Sequence, residues 1–265
     1  MMANPYFTGD RYETDGNKRS FIDKLFLNSR FYFVYGYGKE VIKGRSLSLK
    51  NEYDSEKWAT SSFNIFKCIE KSGGRIFIEG LENINHTEGP VVFVSNHMST
   101  LETFVFPCLI APVKPVTYVV KESLISHPLF GAIMKSRNPI VVSRKNSRQD
   151  LINVITQGKE ILAGGTSIIL FPEGTRQTEF DPEKFNSLGV KLAKEAGVPV
   201  IPVAIKTDFW GNGKLIKDIG PVYRKEPVCM TFGEPMTVTG NGKAEHKQII
   251  EFISQKVKDF KEIKV

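Results

Sequence analysis

A histidine and a carboxylate stand five residues apart in VVFVSNHMSTLET, at His97 and Glu102. A carboxylate bonded to one imidazole nitrogen fixes the ring's tautomer and leaves the other nitrogen basic, the arrangement that deprotonates a hydroxyl. Inside one α-helix, five steps of ~100° would set the two side chains ~140° apart, on different faces. They meet only if His97 lies in a turn ahead of the helix and Glu102 in its first turns. The apolar run ending at Ser95, followed by polar residues and a helical pattern from near Ser99, permits that. As a bare spacing the pair is also compatible with a capping or solvated histidine.

Two further segments carry charge at the end of an apolar run. In IILFPEGTR, a strand-like stretch reaches Pro172, Glu173, Gly174, Thr175 and Arg176. Glycine lets backbone approach a ligand closely, and arginine offers a planar fork suited to phosphate. In residues 119–145, Lys121, the Pro128 to Gly131 turn and Arg144 follow one another. Taken singly, these last are ordinary surface charges. His86, His127 and His246 have no zinc-ligand spacing, and neither a dinucleotide fingerprint nor a P-loop occurs.

The elements that must position these groups follow from periodicity. β-like runs are expected at Arg75–Glu79, Val91–Ser95, Val116–Val120, Ile140–Ser143, Ser167–Phe171, Val200–Lys206 and Val228–Phe232. Helices are expected over 54–73, Lys145–Ala163, Glu183–Ala196 and 245–263, the last with Ile249, Ile253, Val257 and Phe260 on one face. Near-continuous apolar strands alternating with helices predict an α/β fold with a mixed, largely parallel central sheet flanked by helices. The expected organisation is a flexible tail at 1–17, a basic and aromatic helical segment at 18–74, and an α/β domain at 75–265.

The chain's 36 Lys+Arg against 29 Asp+Glu leave a net charge of +7. Most of it is local: residues 18–50 hold eight Lys/Arg against two acids and seven aromatics from Phe21 to Tyr37, with Gly36 and Gly38 interrupting the pattern. A helix of that composition either lies in a membrane interface or packs on the core with its basic residues in water. A local excess without a nucleic-acid motif disfavours nucleic acid as a partner. Cys68, Cys108 and Cys229 form no C-x-x-C, so metal and disulfide readings are weak and a reducing compartment is expected. No apolar stretch reaches the ~20 residues that span a bilayer.

Taken as an ordered set, four segments resemble the glycerolipid acyltransferase family that includes the 1-acyl-glycerol-3-phosphate acyltransferases. They are Ser95-Asn96-His97 with an acid five positions on, Lys121 to Arg144, Phe171-Pro172-Glu173-Gly174-Thr175-Arg176, and Val198-Pro199-Val200-Ile201-Pro202-Val203. The likeness spans roughly residues 75–210. The family's spacing ends in Asp, whereas this chain has Glu102, an arm longer by roughly 1.5 Å.

The resemblance implies transfer of a fatty acyl group from an acyl-CoA or acyl carrier protein thioester to the hydroxyl of lysophosphatidate, with no cofactor beyond that co-substrate. His97 would be the general base and Glu102 its orienting acid. Lys121, Arg144, Glu173, Gly174, Thr175 and Arg176 would bind substrate. Other acceptors, such as glycerol-3-phosphate or another lysolipid, and a non-catalytic lipid-binding protein of the same fold are the alternatives. A lipid acceptor also implies peripheral docking on the cytoplasmic face of a membrane through residues 18–50.

Overall fold

A computed structural model describes residues 3–16, 18–26, 29–213 and 220–263. The strands are β1 (Tyr12–Glu13), β2 (Ile76–Glu79), β3 (Val92–Ser95), β4 (Val116–Lys121), β5 (Ile140–Val142), β6 (Ser167–Leu170), β7 (Val200–Lys206) and β8 (Val228–Phe232). The α-helices are α1 (Phe21–Leu25), α2 (Phe31–Leu49), α3 (Ser55–Lys71), α4 (Leu101–Ile110), α5 (Glu122–Ile125), α6 (Gly131–Lys135), α7 (Ser147–Ala163), α8 (Leu188–Ala196) and α9 (Lys243–Glu262).

The strands form one sheet in the order β1-β2-β8-β7-β3-β6-β4-β5. Only β1–β2 and β7–β8 pair antiparallel; every other neighbour is parallel. Parallel strands need crossovers, so both faces carry helices. Alternation sends Phe93 to one core with Ile65, Phe66 and Leu101, and Val92 and Val94 to the other with Leu192, Ile249 and Ile253. The mixed, largely parallel sheet flanked by helices thus matches the fold expected from the sequence. The C-terminal ends of β3, β4, β6 and β7 lie at one edge of the sheet, where their loops can converge.

Three local expectations are corrected. The stretch expected as a flexible tail is packed in its described part. Phe7 is buried against Phe66, the Thr14 hydroxyl donates to the buried Glu70 carboxylate, and Tyr12–Glu13 adds an edge strand opposite Phe77 and Ile78. Contacts with residues some 60 positions away create that order. Secondly, the helix expected over Glu183–Ala196 exists only from Leu188. Asn186 instead bonds the Pro172 carbonyl with its side chain and caps the Leu188 N–H, so a short 3₁₀ turn at Pro182–Lys184 stays separate from α8.

Thirdly, Gly36 and Gly38 do not interrupt the basic helix; α2 runs through both. A Cβ on Gly36 would stand 2.4 Å from Cys68 Sγ, so glycine is what lets α2 approach α3. A Cβ on Gly38 would meet nothing within 4 Å. Gly38→Ala should therefore raise stability by about 0.5–1 kcal/mol through lost backbone entropy of the unfolded chain. Gly36→Ala should lower it, and paired denaturant melts would show the opposite signs.

Candidate active site

Asn96 fixes the turn after β3. Its side-chain amide donates to the Ile205 carbonyl, and its carbonyl oxygen accepts the Ile205 N–H, both at 2.9 Å, which extends the β3–β7 pairing past Ser95. His97 follows outside any helix, and α4 starts at Leu101. Glu102 then lies in the first turn of α4, the geometry in which the pair can meet. His97 Nδ1 and Glu102 Oε1 are 2.8 Å apart. The His97 side chain is 16% exposed and that of Glu102 is wholly buried.

Glu102 is surrounded by donors. Oε1 accepts the Met98 N–H at 2.8 Å and the Ser99 N–H at 3.0 Å. Oε2 accepts the Thr207 hydroxyl at 2.7 Å and the Ser99 hydroxyl at 3.0 Å. Burial pushes this carboxyl's pKa up. The His97 hydrogen bond and charge, with the Thr207 hydroxyl, outweigh burial and hold it below the ordinary carboxylate value.

The FPEGTR segment leaves β6 and closes over the other side of His97. Phe171 stacks on the imidazole, with centroids 4.3 Å apart and planes 25° apart. Glu173 Oε2 accepts the His97 backbone N–H at 2.7 Å, and the Gln177 N–H donates to the His97 carbonyl at 2.8 Å. The turn needs Gly174 at φ +70°, in the left-handed region. A Cβ there would meet nothing within 4 Å, so conformation and not space demands glycine.

Glu173, expected to bind substrate, is turned toward the chain. Its Oε1 is buried without a hydrogen-bond partner. Burial raises its pKa from the ordinary 4.5 to about 7, opposed by the backbone N–H groups of His97 and Asp181. Between those two values the folded chain keeps a proton that the unfolded chain has released, so stability falls as pH rises. Glu173→Gln, neutral throughout, should flatten that part of the stability–pH curve in thermal melts from pH 4.5 to about 7. An unchanged slope would show that Glu173 titrates normally.

A cavity of about 970 Å³ opens beside His97. It brings His97, Lys121, Arg144, Gly174, Thr175 and Arg176 together, whereas Glu102 and Glu173 stand behind the histidine. Lys121 ends β4 and is exposed. Arg144 follows β5 at φ +59°, a conformation held by Asp150, whose carboxylate accepts the Ser143 N–H at 2.9 Å and the Arg144 N–H at 2.7 Å. Arg144 is exposed, yet desolvation of its guanidinium lowers its pKa while Asp150 opposes the fall. Arg176 donates from one guanidinium nitrogen to the Thr100 hydroxyl and to Asn212 Oδ1. Lys191 of α8 adds a fourth cationic side chain to the cavity wall.

The cavity is also lined by apolar and aromatic side chains, with Val41 of α2, Trp58 and Ile65 of α3, and Phe104 of α4 among them. One wall of lining residues thus carries cationic and apolar side chains together with an imidazole. That suits a molecule with an anionic head, a reactive group and an alkyl chain. Sequence reasoning missed Lys191, Thr207 and the role of Ser99. Each lies in an unexceptional local pattern.

Fold and site together define an α/β protein whose His–carboxylate pair opens onto a basic and apolar cavity, and the sequence model described as Acyltransferase matches residues 75–206, which hold that pair. Through that region the chain belongs to the acyltransferase family. Over 181 residues it is 38% identical to a 1-acyl-sn-glycerol-3-phosphate acyltransferase of Pseudomonas aeruginosa, covering 68% of this chain and 66% of that protein. A chloroplastic 1-acyl-sn-glycerol-3-phosphate acyltransferase of Arabidopsis thaliana is 30% identical over 166 residues, 63% of this chain. The matched region spans 42% of the Arabidopsis protein and just under two thirds of the Pseudomonas one. The crystal structure of the 1-acyl-sn-glycerophosphate acyltransferase PlsC from Thermotoga maritima shares the fold. Its TM-score is 0.64 at 22% identity, over 91% of this chain and 98% of that one.

Proposed function

We propose that this protein moves a fatty acyl group from a thioester, acyl-CoA or acyl carrier protein, to the free hydroxyl of 1-acyl-glycerol-3-phosphate, forming phosphatidate. The single observation that carries the reading is the His97–Glu102 pair, with His97 opening onto one cavity lined by both cationic and apolar side chains. With Nδ1 engaged by Glu102, Nε2 is the nitrogen left to take the hydroxyl proton. The hydroxyl oxygen attacks the thioester carbonyl carbon and the C–S bond breaks. The departing thiolate takes the proton back from His97, so no covalent enzyme intermediate is needed. Arg144, Arg176 and Lys121 hold the acceptor phosphate, and the apolar wall takes the chain.

The names of the relatives support lysophosphatidate as acceptor. Thiol release from acyl-CoA and from acyl carrier protein, each with lysophosphatidate, glycerol-3-phosphate or a neutral lysolipid, tests it. Release with lysophosphatidate above the others supports the reading. Preference for another acceptor moves the assignment within the family, and no release with any pair favours a lipid-binding protein.

Membrane docking belongs to the same proposal. Among the described residues no helix is long and apolar enough to cross a membrane. Phe21, Ile22, Leu25 and Phe26 at α1, with Phe31 and Tyr35 of α2, expose apolar surface beside the basic side chains, Phe21 at 73% and Tyr35 at 75%. α1 is tied down by the buried Asp23, which accepts from Arg19 at 2.6 Å and Arg224 at 2.9 Å. Interfacial insertion of such a face, with about 1 kcal/mol per basic residue from an anionic leaflet, provides reversible docking. Deleting residues 1–50 would not test it cleanly, because Phe33 and Tyr37 are core residues. The triple variant Phe21→Ser, Leu25→Ser, Phe31→Ser should lose co-sedimentation with anionic vesicles at an unchanged melting temperature. Undiminished binding would refute the docking surface.

A further inference from the structure

The carboxylate behind His97 is one methylene longer than the Asp of the resembling family, and the structure shows what receives the extra length. Oε2 of Glu102 has no direct role toward the imidazole; Oε1 makes that contact. Oε2 instead reaches across to Thr207, the residue immediately after β7 and 105 positions away in the chain. Thr207 is wholly buried, and its hydroxyl lies 2.7 Å from Oε2. The Ser99 hydroxyl lies 3.0 Å from Oε2, 3.0 Å from the Thr207 carbonyl and 3.1 Å from the Thr207 hydroxyl. Ser99 Oγ also accepts the Leu101 N–H at 3.0 Å at the start of α4.

Each hydroxyl has one proton to give. The Ser99 proton has three acceptors within reach, one of them a backbone carbonyl. The Thr207 hydroxyl has the carboxylate as its closest partner, and charge-assisted bonds of this kind are the strong ones. The remaining donor to Oε2 is the Ser99 N–H at 3.1 Å, which is shared with Oε1. Thr207 is thus the contact that ties the far oxygen of Glu102 to the end of β7 and not to the turn carrying His97. The paired bonds of Asn96 to Ile205, two residues before Thr207, keep that turn and the end of β7 in register.

We propose that Thr207, seconded by Ser99, is a positioning residue matched to glutamate at position 102. It holds Oε2 so that Oε1 meets Nδ1 and His97 stays in the tautomer with its outward nitrogen basic. Thr207 touches no substrate and acts only through Glu102. An Asp at 102, shorter by roughly 1.5 Å, could not serve Nδ1 and the Thr207 hydroxyl together.

The inference rests on the acyl-transfer reading for its kinetic test, so a second readout is independent of activity. Thr207→Val removes the hydroxyl at nearly constant shape; Thr207→Ser keeps it. Thr207→Val should lower kcat about tenfold, with KM for lysophosphatidate little changed. Thr207→Ser should restore most of the loss. In a Glu102→Asp background, where the bond is already out of reach, Thr207→Val should cost less than twofold more. Imidazole ¹⁵N NMR of the substrate-free protein should show His97 as the Nδ1–H tautomer in the wild type and a tautomer mixture in Thr207→Val.

An unchanged tautomer and kcat in Thr207→Val would overturn the proposal, as would an equal loss in both backgrounds or failure of Thr207→Ser to restore the tautomer. If the wild type releases no thiol with any acceptor while the tautomer shift appears in Thr207→Val and not in Thr207→Ser, the acyl-transfer reading fails and the positioning role stands.

Discussion

His97→Ala should reduce acceptor-dependent thiol release by about 10³-fold, in the middle of the range that a positioned general base contributes. The loss should fall on kcat, since the cations expected to hold the phosphate lie elsewhere on the cavity wall. Folding should survive. The imidazole is partly exposed, and Glu102 keeps the Met98, Ser99 and Thr207 donors after it is gone. Single-turnover release with acyl-CoA and lysophosphatidate, beside a thermal melt of both proteins, measures the two effects separately. Acceptor-dependent release at the wild-type rate would sink the base assignment, because no other imidazole shares this arrangement with a buried carboxylate among the described residues.

The second large effect is expected from Glu102→Gln. A carboxylate at this place is acceptor-only and faces donors on every side. If the amide turns its NH₂ toward His97, it confronts two backbone N–H groups and forces the imidazole into the tautomer whose outward nitrogen carries the proton. If it turns the NH₂ toward Thr207, both hydroxyls must reverse, and the imidazolium formed during proton transfer still loses its counter-charge. A fall in kcat of about 10³-fold, with little change in KM, is expected from either outcome. Equal activity would show that Glu102 does not orient the base.

The same variant should be less stable at neutral pH, by about 1–3 kcal/mol for the buried donors left unsatisfied. It should also resist acid better than the wild type in relative terms. The lowered folded-state pKa of Glu102 means that its stabilisation is complete above the ordinary 4.5 and is lost as pH falls through the folded value. Glu173 runs the other way, losing stability as pH rises toward about 7. The two carboxyls flank one histidine and are set apart by their surroundings. Glu102 sits among five donor groups, while Glu173 has one oxygen buried and unpaired.

Much of the site was legible because it is local. His97 and Glu102 are five residues apart, and a strand, a turn and a helix start are all that their meeting requires. FPEGTR and Arg144 each follow a strand, and strand ends in a parallel sheet share one edge, so apolar runs alone placed them near one another. The seven strands expected from periodicity all occur, within a residue of their expected ends. The edge strand at Tyr12–Glu13 was not legible. Two residues carry no period, and their order comes from Ile78, Phe77 and Glu70. Likewise, Gly36 and Gly38 look alike in sequence. Only the approach of Cys68 distinguishes a packing glycine from a dispensable one.

From its residues alone, this chain is determined to be a parallel-rich α/β protein with a basic, aromatic N-terminal stretch and a His–Glu pair able to take a proton. Those features depend on neighbours within a few turns of chain. Its tertiary structure decided which atoms support that pair. Thr207 reaches Glu102 across 105 residues and Glu173 reaches the His97 backbone across 76. It also decided that six of the eight expected site residues share one cavity and two stand behind it. The physical reason is strand order: β7 and β6 flank β3 only after the sheet is assembled, and no local period encodes which strands become neighbours.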